Sequence, residues 1–180
     1  MLRETYPFHL ANSPKAPNAD LEVTDIEKAV DRVIFGAFYQ SGQSCISVQR
    51  IMVHESIYER FRDRLVERAR ALKSGDPRDE DTFIGPMISE EETARLEGWI
   101  GEALREGATL LCGGGRDGSM MPATILENVP ENLDIYRKEA FGPVAVMNPF
   151  RDFEEALSKV NDSAITAFRQ VFLPRISAGP

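Results

Sequence analysis

The stretch DIEKAVDRVIFGAFYQSGQSCISVQRIMV, residues 25–53, decides the fold because it encodes a helix, a turn and a strand in succession. Gly42 ends the predicted helix, and Val48–Val53 alternates its side chains between two faces, with Val48, Arg50 and Met52 on one of them. The apolar residues of the helix recur at three- and four-residue spacing, which predicts one buried face. They are Ile26, Ala29, Val30, Val33, Ile34, Ala37 and Phe38.

Helices and strands continue to alternate along the rest of the chain. The spacing of Ser56–Glu59 and of Ser89–Glu92 is that of capping boxes, which predicts a helix running to about Lys73 and another ending at Gly107. The other predicted elements are strands at Thr109–Cys112, Ala123–Leu126 and Val144–Met147 and a helix at Phe153–Val160. Because these strands are too separated for hairpins, the sequence predicts an α/β layered domain with a largely parallel sheet flanked by helices.

Composition argues against nucleic-acid binding and against a membrane span. The 180 residues carry a net charge of −8, with 42% hydrophobic and 28% charged residues, which is typical of one soluble globular domain. The acidic balance argues against nucleic acid as a partner, and the apolar runs are too short for a membrane span. With no secretory signal apparent and only two cysteines, we expect a reduced, cytoplasmic location.

Cys45 is the candidate nucleophile, because it ends the turn Ser41–Cys45 between a predicted helix and a predicted strand. A reactive thiolate needs positive potential or N–H donors around it, and the alternative is that Cys45 is a small core residue. Cys112 is assigned to packing. His9 and His54 lack neighbours at metal-ligand spacing, so no metal site is predicted. Gly113–Gly118 is interpreted as a turn rather than a phosphate-binding loop, since no Lys-Ser/Thr pair follows it.

The segment Phe38–Arg50, which contains Cys45, resembles the catalytic-cysteine signature of the NAD(P)-dependent aldehyde dehydrogenases. Four further segments resemble the family in the same order: Gly85–Ser89, Gly107–Ala108, Pro122–Leu126 and Glu139–Val144. The resemblance runs from about Asp25 to Ser163 and covers most of the family's catalytic domain. It therefore divides the chain into an irregular arm (1–24), a catalytic domain (25–163) and a divergent tail (164–180).

The resemblance implies oxidation of an aldehyde with NAD or NADP through a Cys thioester. Cys45 would form a thiohemiacetal, and its backbone N–H would provide half of an oxyanion hole. Glu139 would receive the hydroxyls of the nicotinamide ribose, and Phe141 would line the nicotinamide pocket. The alternatives are a surface charge for Glu139 and a core position for Phe141.

Two departures from the family pattern argue against full activity of this chain. The family's general-base Glu corresponds to Ala11, and alanine cannot move a proton, which removes an effect of about 10²- to 10⁴-fold. The family's dinucleotide-binding domain has no counterpart in these residues. We therefore expect impaired cofactor binding and weak or no turnover, or alternatively a non-enzymatic interaction module that forms a homo-oligomer through exposed apolar surface.

The tail after Ser163 departs most clearly from the family. The family continues with a sequence such as Asp-Tyr-Gly-Leu-Gln-Ala-Gly-Val-Phe-Thr, whereas this chain continues with Ala-Ile-Thr-Ala-Phe-Arg-Gln-Val-Phe-Leu-Pro. One stretch of DNA can encode both sequences when it is read two bases apart. We hypothesise a frameshift between Ser163 and Ala164.

Overall fold

Five strands form a single sheet in the computed structural model, which describes residues 26–161 and 169–173. The strands are β1 (Val48–His54), β2 (Thr109–Cys112), β3 (Thr124–Glu127), β4 (Val144–Phe150) and β5 (Arg169–Leu173). Their spatial order is β2-β3-β4-β1-β5. The pairs β3–β4, β4–β1 and β1–β5 are parallel, and only β2 runs antiparallel to its neighbour β3. The largely parallel sheet is therefore confirmed, although β2 and β3 pair directly despite their separation in sequence.

Helices cover both faces of this sheet. They are α1 (Ile26–Phe38), α2 (Tyr58–Arg70), α3 (Glu90–Arg105), α4 (Asp134–Arg137) and α5 (Phe153–Asn161). Helices α1 and α2 pack in one apolar cluster with Ile51, Ile125 and Met147 of the sheet. Helices α3 and α4 pack in a second cluster with Leu126 and Val146. Adjacent strand residues thus enter opposite layers, as the side-chain period of a strand requires.

Strand β1 differs from its predicted pattern at its first residues. Its pairing with β5 is irregular between Val48 and Arg50, and Val48 joins the cluster that contains Ile51 and Val53. The predicted grouping of Val48 with Arg50 is therefore wrong, because an irregularity of this kind shifts the alternation of side chains. Arg50 is buried, with its guanidinium 4.9 Å from the Tyr136 ring centroid.

The predicted helix boundaries are correct in one case and wrong in another. Ser89 accepts a hydrogen bond from the Glu92 N–H at 3.2 Å and caps α3, as predicted. Ser56 does not cap α2: its own N–H donates to Nδ1 of His54 at 3.2 Å, and a 3-10 turn precedes the helix. Helix α2 ends at Arg70, earlier than predicted.

The arm 1–24 and most of the tail 164–180 lie outside the described residues, so the three-part division of the chain stays a prediction. Within the tail, Arg169–Leu173 forms β5 and pairs with β1. Among the described helices, none is both long and apolar enough to cross a membrane.

Candidate active site

The turn before Cys45 has an unusual backbone. Gln40, Ser41 and Gly42 have φ values of 51°, 57° and 67°, in the left-handed region. Glycine is required at position 42, because a Cβ there would lie 2.1 Å from the carbonyl oxygen of Gly142. This close approach brings the cysteine turn against the segment that precedes β4.

Two side chains of the same turn attach it to a second loop. The Ser41 hydroxyl accepts from the Gly85 N–H at 2.9 Å and donates to the Gly85 carbonyl at 3.1 Å. The Gln43 side chain accepts from the Ile88 N–H at 2.9 Å and donates to the Pro86 carbonyl at 3.4 Å. Two segments that carry the family resemblance are therefore in contact, and they fix the position of the residues around Cys45.

Cys45 is an exposed free thiol rather than a core residue. The Ser47 N–H donates to the Ser44 carbonyl at 2.9 Å, so Cys45 lies within a tight turn. Within residues 26–161 and 169–173, no acceptor pairs with the backbone N–H of Cys45. The resemblance requires an N–H of this kind for half of an oxyanion hole.

Glu139 and Phe141 belong to a segment held by two polar side chains from other elements. Gln49 of β1 bonds the backbone on either side of Glu139, and Arg95 of α3 donates to the Ala140 carbonyl at 2.8 Å. Phe141 is 40% exposed and has a φ of 51°, a conformation that costs a residue with a Cβ about 1–2 kcal/mol. Phe141 is therefore not a core residue, and its backbone is held in a strained state.

One cleft brings together the three residues that the sequence predicts for the site. It is partly enclosed by the protein and partly open to solvent. It is lined by Gly42, Ser44, Cys45, Ser47, Gln49, Glu139, Ala140, Phe141, Gly142 and Val144. Cys45, Glu139 and Phe141 thus line one space, although more than ninety positions separate Cys45 from the other two in the sequence.

Comparison with known proteins identifies the family. The sequence model described as "Aldehyde dehydrogenase family" matches residues 3–173. The chain belongs to the aldehyde dehydrogenase family. Aspartate-semialdehyde dehydrogenase 1 of Pseudomonas canavaninivorans is 42% identical over 153 residues, which are 85% of this chain and 33% of that protein. The 3-sulfolactaldehyde dehydrogenase of Priestia aryabhattai is 45% identical over 139 residues, 77% of this chain and 29% of that protein.

Solved aldehyde dehydrogenases share the fold. Aldehyde dehydrogenase 21 from Physcomitrella patens, in complex with the reaction product succinate, has a TM-score of 0.77 and 41% identity over 80% of this chain and 30% of its own. The NAD⁺ complex of an aldehyde dehydrogenase from Bacillus cereus has a TM-score of 0.74 and 34% identity over 78% of this chain and 29% of its own. The chain therefore spans about a third of the length of the aldehyde dehydrogenases it matches.

The other candidate residues do not line this cleft. Cys112 is buried in β2, and burial raises the pKa of its thiol, as expected for a packing residue. His54 caps the 3-10 turn before α2 and contacts the Phe150 ring edge-on. His9 lies outside the described residues. Across 26–161 and 169–173, no cluster of three His, Cys, Asp or Glu side chains could hold a metal ion.

Gln49 lies in the segment that carries the family resemblance, but the sequence does not predict its hydrogen-bond partners, which lie 86 to 91 residues further along the chain. The sign of these contacts in the sequence is a polar residue at the start of a predicted strand. Ser44 and Ser47 also line the cleft, and both lie within the segment that carries the family resemblance. Their proximity to Cys45 follows from the sequence.

Proposed function

We propose that Cys45 is the nucleophile of an aldehyde-oxidising site, and the observation that carries this proposal is its place in one cleft with Glu139 and Phe141. The thiolate of Cys45 adds to the carbonyl carbon of an aldehyde, so that a C–S bond forms and the π electrons move to oxygen. The backbone N–H of Cys45 then donates to that oxygen. One such preorganised donor stabilises a developing oxyanion by about 3 kcal/mol.

The residues that line the cleft support binding of the nicotinamide end of NAD or NADP. The exposed carboxylate of Glu139 is an acceptor for ribose hydroxyls, and the half-exposed ring of Phe141 offers an aromatic face. When bound, the cofactor would act as the oxidant, because it would accept the hydride that leaves the substrate carbon as the thioester forms. Water then cleaves the C–S bond, which releases a carboxylic acid and returns the thiol to Cys45.

Turnover by these 180 residues is proposed to be weak or absent. Hydrolysis of the thioester needs a general base, and Ala11 occupies the position at which the family has Glu. Loss of that base slows hydrolysis by about 10²- to 10⁴-fold. The thioester on Cys45 would therefore accumulate, while release of the acid limits the rate.

The test is aldehyde-dependent formation of NADH or NADPH over a small panel of aldehydes. Four proteins are compared: wild type, Cys45→Ala, Cys112→Ala as the matched control thiol, and Ala11→Glu. We expect trace turnover that disappears in Cys45→Ala, persists in Cys112→Ala and rises at least tenfold in Ala11→Glu. Equal turnover by wild type and Cys45→Ala would contradict the assignment of the nucleophile. Turnover by wild type as fast as by Ala11→Glu would contradict the argument about the missing base.

Self-association is proposed as a second property of the chain. Phe35 is 56% exposed, Ile46 53% and Ile88 80%, and large apolar side chains at these exposures favour burial against a partner. A second copy of the chain is the partner proposed here. Size-exclusion chromatography with light scattering is expected to give the mass of a homo-oligomer, and a monomer at high concentration would contradict this proposal.

The proposed location is cytoplasmic. Both cysteines are free thiols, which favours a reducing compartment. Fractionation of cells that express the chain, with detection by antibody, tests this location. Recovery in an extracellular or membrane fraction would contradict it.

A further inference from the structure

Gln49 makes three hydrogen bonds with one short segment of the chain. Its side-chain amide donates to the Ile135 carbonyl at 2.9 Å and to the Lys138 carbonyl at 2.8 Å, and its oxygen accepts from the Ala140 N–H at 2.9 Å. Both donors and the acceptor are therefore used. Gln49 is only 5% exposed, so these bonds form away from solvent.

The pattern of these bonds requires an amide at position 49. A carboxylate would place an oxygen against two carbonyl oxygens, and an apolar side chain would leave the Ala140 N–H and two carbonyls without partners. The bonded groups bracket Glu139, since one belongs to Lys138 and another to Ala140. Phe141 follows at once, with its backbone in the left-handed region.

Gln49 also connects this segment to the nucleophile. It lies four residues after Cys45, at the start of β1, and it lines the same cleft. The short turn Ser44–Ser47 and the first residues of β1 thus connect Cys45 to the side chain that holds the backbone of Glu139 and Ala140. Arg95 binds the Ala140 carbonyl from α3 and strengthens the same attachment.

We propose that Gln49 is a positioning residue, whose side-chain amide sets the place of Glu139 and Phe141 relative to Cys45 so that the nicotinamide ribose fits between them. This inference rests on the proposed function for the identity of the ligand. It assigns to Gln49 no contact with the aldehyde and no part in the chemical step.

The experiment compares wild type, Gln49→Met and a matched control, Tyr58→Phe. Methionine has nearly the shape of glutamine but makes none of the three bonds. The control also removes one long-range hydrogen bond, from the Tyr58 hydroxyl to Glu127 at 3.0 Å, and it lies beyond the other end of β1. Three properties are measured by NMR on the full chain: amide exchange at Ala140, the backbone chemical shifts of Phe141, and binding of nicotinamide mononucleotide.

In wild type, the Ala140 amide is expected to exchange slowly, although its neighbours Glu139 and Phe141 are exposed. In Gln49→Met, we expect exchange at Ala140 to be at least tenfold faster, the shifts of Phe141 to lose their left-handed signature, and mononucleotide binding to weaken at least fivefold. For Tyr58→Phe, we expect the exchange rate at Ala140 and the affinity for nicotinamide mononucleotide to stay within twofold of the wild-type values. Alkylation of Cys45 by iodoacetamide should not change, because Gln49 does not bond to the cysteine turn.

Several results would overturn the proposal. Fast exchange at Ala140 in wild type would do so even when Gln49→Met fails to fold. Unchanged exchange in a folded Gln49→Met protein, or faster exchange with unchanged mononucleotide affinity, would also reject it. If wild type does not bind the mononucleotide, that result contradicts the proposed role of Glu139 and Phe141 in cofactor binding. The exchange rate at Ala140 and the chemical shifts of Phe141 then still show whether Gln49 positions the segment.

Discussion

Replacing Gly42 with alanine is expected to destabilise the chain strongly, although it adds only one methyl group. The added Cβ would lie 2.1 Å from the Gly142 carbonyl oxygen and 2.5 Å from its carbonyl carbon. Real contacts of this kind need at least about 3 Å. The cysteine turn and the segment before β4 must therefore separate by about 1 Å.

The cost can be worked from two observations. Gly42 has a φ of 67°, and the left-handed region costs alanine about 1–2 kcal/mol. The overlap is with backbone, and the Gly142 carbonyl is itself held by the Val144 N–H at 2.7 Å, so it cannot simply turn away. Forced repacking of this kind costs about 1–3 kcal/mol. We expect Gly42→Ala to lower the free energy of unfolding by about 2–5 kcal/mol.

The matched control is Gly98→Ala, which adds the same methyl group in the middle of α3. No atom lies within 4 Å of a Cβ at Gly98, and helical backbone favours alanine over glycine by about 0.5–1 kcal/mol. Urea unfolding monitored by circular dichroism gives both values. Stabilisation by Gly98→Ala together with a loss below about 0.5 kcal/mol for Gly42→Ala would refute the close approach of the two segments.

Three further predictions concern other parts of the chain. Ser89→Ala removes the acceptor of the Glu92 N–H and should cost about 1 kcal/mol in urea unfolding; an unchanged midpoint would contradict the cap. Burial raises the pKa of Cys112, so its contribution to stability is complete below about pH 8.5 and is lost as pH rises through the raised pKa. Between pH 8 and 10, the free energy of unfolding of Cys112→Val should therefore fall less than that of wild type. An equal fall in both proteins would argue against burial of the Cys112 thiolate as the cause of the pH dependence. Nucleotide sequencing after the Ser163 codon should show codons that encode the family continuation two bases later, and codons that forbid that frame would end the frameshift hypothesis.

Much of the fold follows from local pattern in the sequence. The apolar spacing of α1 and the N-cap at Ser89 each depend on residues within a few positions of one another, and both are confirmed. The family resemblance added the long-range part, since it named Cys45, Glu139 and Phe141 as members of one site. The structure brings these three side chains to one cleft, while their chemical roles remain proposals.

The remaining features depend on contacts that no local pattern records. The irregular pairing at the start of β1 arises against β5, far along the chain, and it changes the face on which Val48 lies. The His54 cap competes with a capping box of good spacing and displaces it. The bonds of Gln49 reach residues 86 to 91 positions away, and no local pattern in the sequence predicts them.

The most direct test of the central claim is the site of covalent reaction with an activated ester such as p-nitrophenyl acetate. Wild type and Cys112→Ala are expected to gain one acetyl group, which mass spectrometry of peptides locates on Cys45, and Cys45→Ala is expected to gain none on a cysteine. Rapid release of one equivalent of nitrophenol should precede a slow phase of further release. The reason is that a chain with alanine in place of the general base at position 11 hydrolyses its thioester slowly. Equal labelling of wild type and Cys45→Ala, or acetylation of Cys112 in preference to Cys45, would contradict a nucleophile presented in this cleft.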